Sequence, residues 1–159
     1  MQQEKFTQQR LDAMKVAPGA YKAMRALQTY VDGSGLERPL LYLVQMRASQ
    51  INGCAFCIAM HSQEARKAGE SDERMLMLDA WREAPLYSAR ERAALAWTEA
   101  VTRIRETHAP DAVYDEVRRH FSEKEIVDLT AAVIAINGWN RASIAFRATP
   151  HVTGARIAA

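Results

Sequence analysis

Two Ser-x-x-Glu quartets, Ser88 to Glu91 and Ser122 to Glu125, each stand at the head of an apolar run. In such a quartet the serine hydroxyl accepts the amide proton three residues on, while the glutamate reaches back to the serine amide. Two orphan donors of a helix start are then satisfied, which commits the residues that follow to an α-helix. The first quartet leads through Ala94, Trp97, Val101 and Ile104; the second opens a long helix reaching about Arg147. Seven glycines and five prolines in 159 residues leave few breaks, and Ala, Leu, Arg, Glu and Met are plentiful, so propensity favours helix almost everywhere. The expected fold class is all-α.

Pro18 suits a first helical position, and Tyr21, Met24, Leu27 and Val31 recur at helical spacing until Asp32-Gly33-Ser34-Gly35 stops the run. A second helix covers about Arg38 to Ile51, with Leu40, Leu43, Val44 and Arg47 along one side and Asn52-Gly53 as its stop. A third begins near Cys54 and runs to Ala68, with Gly69 as its cap. Ser71 opens a short helix pinned by Met75, Leu78 and Trp81 and broken at Ala84-Pro85, and Pro110 to His120 makes another. These six to seven helices are expected to form a single domain over residues 1–159, with 149–159 a flexible tail. The segment Ile126 to Ile136 is apolar on nearly every side, which places its helix centrally or in a subunit contact. The methionines and the three tryptophans read as core or interface residues.

The net charge of +2 comes from 21 basic and 19 acidic residues scattered along the chain. Without an arginine-rich tail or a basic run interleaved with aromatics, nucleic acid is not an expected partner. Met1 to Met14 is polar and lacks the apolar stretch of a secretory leader, and Ile126 to Ile136 is about half the length needed to span a bilayer. No membrane partner and a cytoplasmic location are therefore expected. In a reducing cytosol, a close cysteine pair points to catalysis or metal binding before structural bridging.

Both cysteines of the chain fall in Asn52-Gly53-Cys54-Ala55-Phe56-Cys57-Ile58-Ala59-Met60-His61. Helical residues three and four apart are neighbours, with Cβ atoms about 5–6 Å apart, so Cys54, Cys57 and His61 share one stripe. That separation suits a disulfide and lets a histidine touch a thiol. Free N–H groups and the helix dipole favour an anion near Cys54, with Cys57 one turn further in; such a setting brings a thiol from ~8.5 into the range ~3.5–7.5. A thiolate attacking a peroxide O–O bond becomes a sulfenic acid, a second thiol converts it to a disulfide, and an external dithiol reduces the pair. The same equipment serves a disulfide reductase. A structural zinc would want four ligands, and His108, His120 and His151 are distant in sequence. Two inert, buried cysteines are the remaining alternative.

The run from Arg47 through Cys54, Cys57 and His61 to Glu64-Ala65-Arg66-Lys67-Ala68-Gly69 resembles the alkylhydroperoxidase AhpD-like group of the carboxymuconolactone decarboxylase superfamily. The resemblance continues through Ala80-Trp81-Arg82-Glu83, Glu91-Arg92-Ala93-Ala94-Leu95 and Ala135-Ile136-Asn137-Gly138-Trp139-Asn140-Arg141. It implies an all-helical fold with the cysteine pair at the start of a central helix, and reduction of hydrogen peroxide or organic hydroperoxides. It further implies that Cys57 attacks the peroxide, Cys54 resolves the sulfenic acid and His61 relays protons, although the dipole alone favours Cys54 as nucleophile. No flavin, haem or metal is needed. The implied partners are a hydroperoxide, an external lipoyl or thioredoxin-type dithiol, and further copies of the chain in a trimer or hexamer.

One position departs from the family. Where the relay usually carries a glutamate, in Leu-Leu-Glu-Leu-Val, this chain has Leu40-Leu41-Tyr42-Leu43-Val44. A phenol near pKa ~10 is a weak proton acceptor at neutral pH, so Tyr42 joins the candidate site as an altered relay residue or as a core aromatic. Glu64 reads as a surface or inter-helix pair. The rival functions are a non-catalytic redox sensor, kept open by Tyr42, and a lactone decarboxylase, against which the cysteine pair argues.

Overall fold

Both capping boxes form. Ser88 Oγ accepts from the Glu91 amide at 3.2 Å while Glu91 Oε2 accepts from the Ser88 amide at 2.8 Å, and Ser122 and Glu125 repeat the arrangement at 3.3 and 2.8 Å. The computed structural model describes residues 8–151, among which lie nine α-helices, one 3-10 turn and no strand. They are α1 (Ala13–Val16), α2 (Pro18–Asp32), α3 (Arg38–Asn52), α4 (Ala55–Lys67), α5 (Asp72–Leu76) continuing into the 3-10 turn Met77–Ala80, α6 (Ala89–Thr102), α7 (Ile104–Thr107), α8 (Asp111–Arg118) and α9 (Glu123–Phe146). The fold is all-α, and the seven helices read from the sequence are present.

The two additional helices are single turns. Asp12 caps α1 by accepting from the Lys15 amide. The helix expected to pass through Ile104 instead stops at Thr102, because Thr107 Oγ1 donates to the Ala100 carbonyl at 2.6 Å and ties a separate turn, α7, across its end. His108 ends that turn in the left-handed region, φ 51°. Residues 152–159 of the expected tail lie outside the described residues.

α3 is the hub, packed against α4, α6 and α9. Its buried residues run around the helix: Leu40, Leu41 and Val44 join Leu129, Val133 and Trp97 in one core, while Leu43 and Met46 join Met75, Leu78, Trp81 and Leu95 in another. Each fully buried Leu or Val contributes roughly 1.5–3 kcal/mol of transfer free energy, which is why this helix needs no polar face. Charge enters its buried surface once. Arg47 donates to Glu99 at 2.7 Å and also pairs with Asp79, while Glu99 accepts from Trp81 at 2.9 Å and contacts Arg82 at 2.7 Å.

The uniformly apolar stretch of α9 has two fates. Ile126, Leu129, Val133 and Ile136 are buried, whereas Val127 and Ile134 are 64% and 55% exposed. Met46 and Met75 fill the core as expected, but Met60 and Met77 are exposed, so the methionines are not all core filler. Among the described residues no helix is long and apolar enough to cross a membrane.

Candidate active site

Gly53 turns the chain from α3 into α4 with φ 67° and ψ 33°, a left-handed conformation that glycine adopts without the usual Cβ penalty. The turn delivers Cys54 as the N-cap of α4, where its sulfur accepts from the Cys57 amide at 3.4 Å. Cys57 lies in the first turn of the helix, and its sulfur stands 2.6 Å from that of Cys54. Both are free thiols, each 1% exposed, in a small cluster with Ala48 and Ile136 flanked by Phe56 and Trp139. The Cys-x-x-Cys pair thus begins α4 with its two sulfurs in direct contact.

The two thiols titrate as a unit. The hydrogen bond from Cys57 and the Cys57 amide bring the Cys54 thiol from an ordinary 9.0 down to about 7, against burial that opposes the charge. From the other sulfur, the same hydrogen bond and burial push Cys57 up. The first negative charge of the pair therefore rests on Cys54, as the helix-start argument expects. Polar help comes from α9: Ser143 Oγ lies 3.8 Å from the Cys57 sulfur, and Asn140 hydrogen-bonds the pair and favours its charged form. Asn140 is fully buried, donating to Ser49 Oγ at 3.0 Å and accepting from Asn52 at 2.8 Å.

Access reverses the ranking of the sulfurs. A cavity of about 670 Å³ is lined by Cys57 but not by Cys54. His61, Tyr42, Glu64 and Ser143 line the same cavity. All four residues singled out by sequence therefore gather in one place, Cys54 standing behind Cys57. Trp139, expected as a core or interface anchor, also lines the cavity and stacks at a tilt on Tyr21, ring centres 5.8 Å apart.

Glu64 forms the surface pair expected of it, but with a partner on its own helix rather than on a neighbour. Its Oε2 lies 3.0 Å from His61 Nδ1, within the same helix. The hydrogen bond from His61 holds the carboxyl below its ordinary range, aided by the Arg38 and Lys67 cations and opposed by burial. A carboxylate only accepts, so Nδ1 carries the proton and Nε2 of the neutral ring is left with a lone pair, the tautomer of a general base. Among the described residues no three His, Cys, Asp or Glu side chains converge in a metal-binding group. His120 pairs with Glu116 at 3.1 Å, away from the thiols.

Asn140, Ser143 and the Glu64 contact are what the sequence reading left out. The family-like run Trp139-Asn140-Arg141 was the available signal for Asn140, and its i, i+3 spacing to Ser143 places both on one face of α9.

An all-helical bundle with a buried Cys-x-x-Cys pair beside a histidine–carboxylate dyad defines a thiol-bearing class of protein. The chain belongs to the carboxymuconolactone decarboxylase family, whose model matches residues 18–100, and within it is AhpD-like. It is 43% identical over 137 residues to the uncharacterized protein YdfG of Bacillus subtilis (strain 168), covering 86% of this chain and 93% of that protein. Among solved structures, ATU0492 of Agrobacterium tumefaciens, a protein of unknown function provisionally described as antioxidant defence protein AhpD, superposes with a TM-score of 0.89 at 47% identity, covering 91% of this chain and 99% of that one. The debrominase Bmp8 shares the fold at a TM-score of 0.79 and 22% identity, over 87% of this chain and 75% of its own. A common fold therefore leaves the chemistry to be argued from the site.

Proposed function

We propose that this protein is a thiol-dependent peroxidase that reduces hydroperoxides through the Cys54–Cys57 pair. The observation that carries it is the layering of the site: two thiols 2.6 Å apart, with only Cys57 lining a cavity that His61 and Glu64 also line. Passing the proton of Cys57 across its hydrogen bond to Cys54, or to His61, places the thiolate where a substrate reaches it. Cys57 Sγ attacks the outer peroxide oxygen and the O–O bond breaks. The alkoxide leaves as an alcohol with the proton returned by His61, and Cys57 becomes a sulfenic acid. Cys54 then attacks the Cys57 sulfur, a disulfide forms and water departs. An external dithiol of lipoyl or thioredoxin type returns two electrons and two protons to the pair.

The carboxylate that the sequence lacks at position 42 is supplied by Glu64, which keeps His61 in the base tautomer and offsets the charge of the imidazolium. Assembly into a homo-oligomer belongs to the same proposal, supported by the exposed Val127 and Ile134 of α9; sedimentation of wild type against Ile134→Lys tests it.

The mechanism is tested by stopped-flow oxidation of reduced wild type, Cys57→Ser, Cys54→Ser and His61→Ala. Wild type and Cys54→Ser should each consume one peroxide, the latter stopping at the sulfenic acid, and Cys57→Ser should consume none. Undiminished peroxide consumption by Cys57→Ser would overturn it. A wild type that closes the disulfide but never turns over with any dithiol would instead mark a redox sensor.

A further inference from the structure

A cavity of about 670 Å³ is far larger than hydrogen peroxide requires and falls among the ~300–1,000 Å³ sites that enclose whole organic ligands. Phe56, Met60 and Trp139 give it apolar walls beside Cys57. Its charges are unevenly matched. Asp32 is held by Arg38 at 2.8 Å and by Gln28 at 3.1 Å, and Glu64 by His61 at 3.0 Å, so both lining carboxylates already have partners. Arg25 from α2 and Lys67 from α4 line the same cavity. Lys67 is felt by Glu64 only at a distance, and neither cation forms an ion pair among the described residues.

Resting on the peroxidase reading of this site, we propose that its substrate is an amphipathic organic hydroperoxide bearing an acidic group. Arg25 and Lys67 receive the acid, the apolar body lies against Phe56, Met60 and Trp139, and the hydroperoxide reaches Cys57. A carboxylate there gains two uncommitted cations, whereas a neutral peroxide uses only the walls. The acidic group takes no part in the chemistry: the O–O bond is cleaved by Cys57, the hydroperoxide is reduced to its alcohol, and the sulfur is oxidised to the sulfenic acid.

The test uses a matched pair of probes, cumene hydroperoxide and its para-carboxylate, on the reduced full-length protein. Wild type should oxidise faster with the carboxylate, and the preference should shrink as salt is raised. The ratio of the two rate constants should fall about two- to fivefold for each charge removed in Arg25→Gln, Lys67→Gln and the double variant. Equal rate constants in wild type, or an unchanged ratio in the double variant, would overturn the proposal. Calorimetric binding of the corresponding alcohols separates the two claims. If neither peroxide oxidises Cys57 but the carboxylated alcohol still binds, and binds more weakly to the double variant, the peroxidase mechanism falls and the acid-binding pocket stands. If the double variant binds that alcohol as wild type does, the pocket assignment falls with it.

Discussion

Glu64 Oε2 stands 3.0 Å from His61 Nδ1, one helical turn along α4. The dyad is local, so it needs no contribution from α3, where the family's glutamate usually sits. Glu64→Gln keeps an oxygen to accept from Nδ1 and removes only the charge that steadies a protonated ring. Oxidation of the thiol pair by peroxide should slow by about 10- to 100-fold, at or below the lower end of what acid–base catalysis supplies. Because the carboxyl is held below its ordinary 4.5, it stays ionised as pH falls through that value, so loss of rate above pH 4.5 should not trace to Glu64. Stopped-flow thiol oxidation across pH checks both points; a Glu64→Gln rate equal to wild type would remove the carboxylate from the relay.

Tyr42→Glu restores the residue that the family pattern leads one to expect, but into a cavity already served by Glu64. The substitution should not raise the peroxide rate. A third carboxylate in a cavity already lined by Asp32 and Glu64 also costs some repulsion. A clear gain in the same stopped-flow assay would mean that position 42 limits proton transfer after all.

The helices were legible because their signals are local: capping boxes, a proline at a helix start, a glycine at a stop. The break at Thr102 was not, since it depends on the Thr107 hydroxyl folding back to the Ala100 carbonyl in a stretch with no glycine or proline to announce it. The Cys54, Cys57 and His61 stripe could be read from helical spacing alone. Which sulfur meets the cavity could not, because that is decided by α9 and α2, remote in sequence. His61 and Glu64 satisfy the i, i+3 rule, yet spacing does not say whether a glutamate turns to its own helix or to a neighbour.

The charge and the exposure of the thiol pair favour different sulfurs, and titration separates them. One thiolate should appear in reduced wild type as pH rises through about 7, the value to which Cys54 is lowered, with the second thiol remaining protonated well beyond it. In Cys54→Ser the remaining Cys57 no longer faces an anionic neighbour, so its thiol should ionise at lower pH than it does in wild type. Iodoacetamide should alkylate Cys57 in Cys54→Ser faster than Cys54 in Cys57→Ser, since only Cys57 lines the cavity. The opposite order would make Cys54 the attacking thiol.

Asn140 ties α9 to α3 behind the sulfurs, donating to Ser49 Oγ at 3.0 Å and accepting from Asn52 at 2.8 Å. Asn140→Ala leaves the buried Ser49 hydroxyl without its donor and opens a void, which should cost about 2–3 kcal/mol in urea unfolding. The same change removes a group that favours the charged form of the thiols, so the first thiolate should appear at higher pH than in wild type. Loss of stability with an unshifted thiol titration would make Asn140 a purely structural tie.

Glu99 is the acceptor on which the buried charges converge, taking Arg47 at 2.7 Å, Trp81 at 2.9 Å and Arg82 at 2.7 Å. The Arg47 side chain is only 6% exposed and its other carboxylate, Asp79, is 80% exposed, so Glu99 is the partner that offsets its desolvation. Glu99→Ala should therefore cost about 3–5 kcal/mol, since it leaves a buried guanidinium poorly compensated. The pH sign follows from the same contacts. Burial pushes the Glu99 carboxyl up, but hydrogen bonds from Trp81, Arg82 and Arg47 outweigh it and the group ends below 4.5. Its stabilising contribution is then complete above that value and lost as pH falls below it. Urea unfolding of wild type from pH 7 down to pH 3 should show a decline that Glu99→Ala has in smaller measure, and parallel declines in the two proteins would assign the acid sensitivity to other carboxylates.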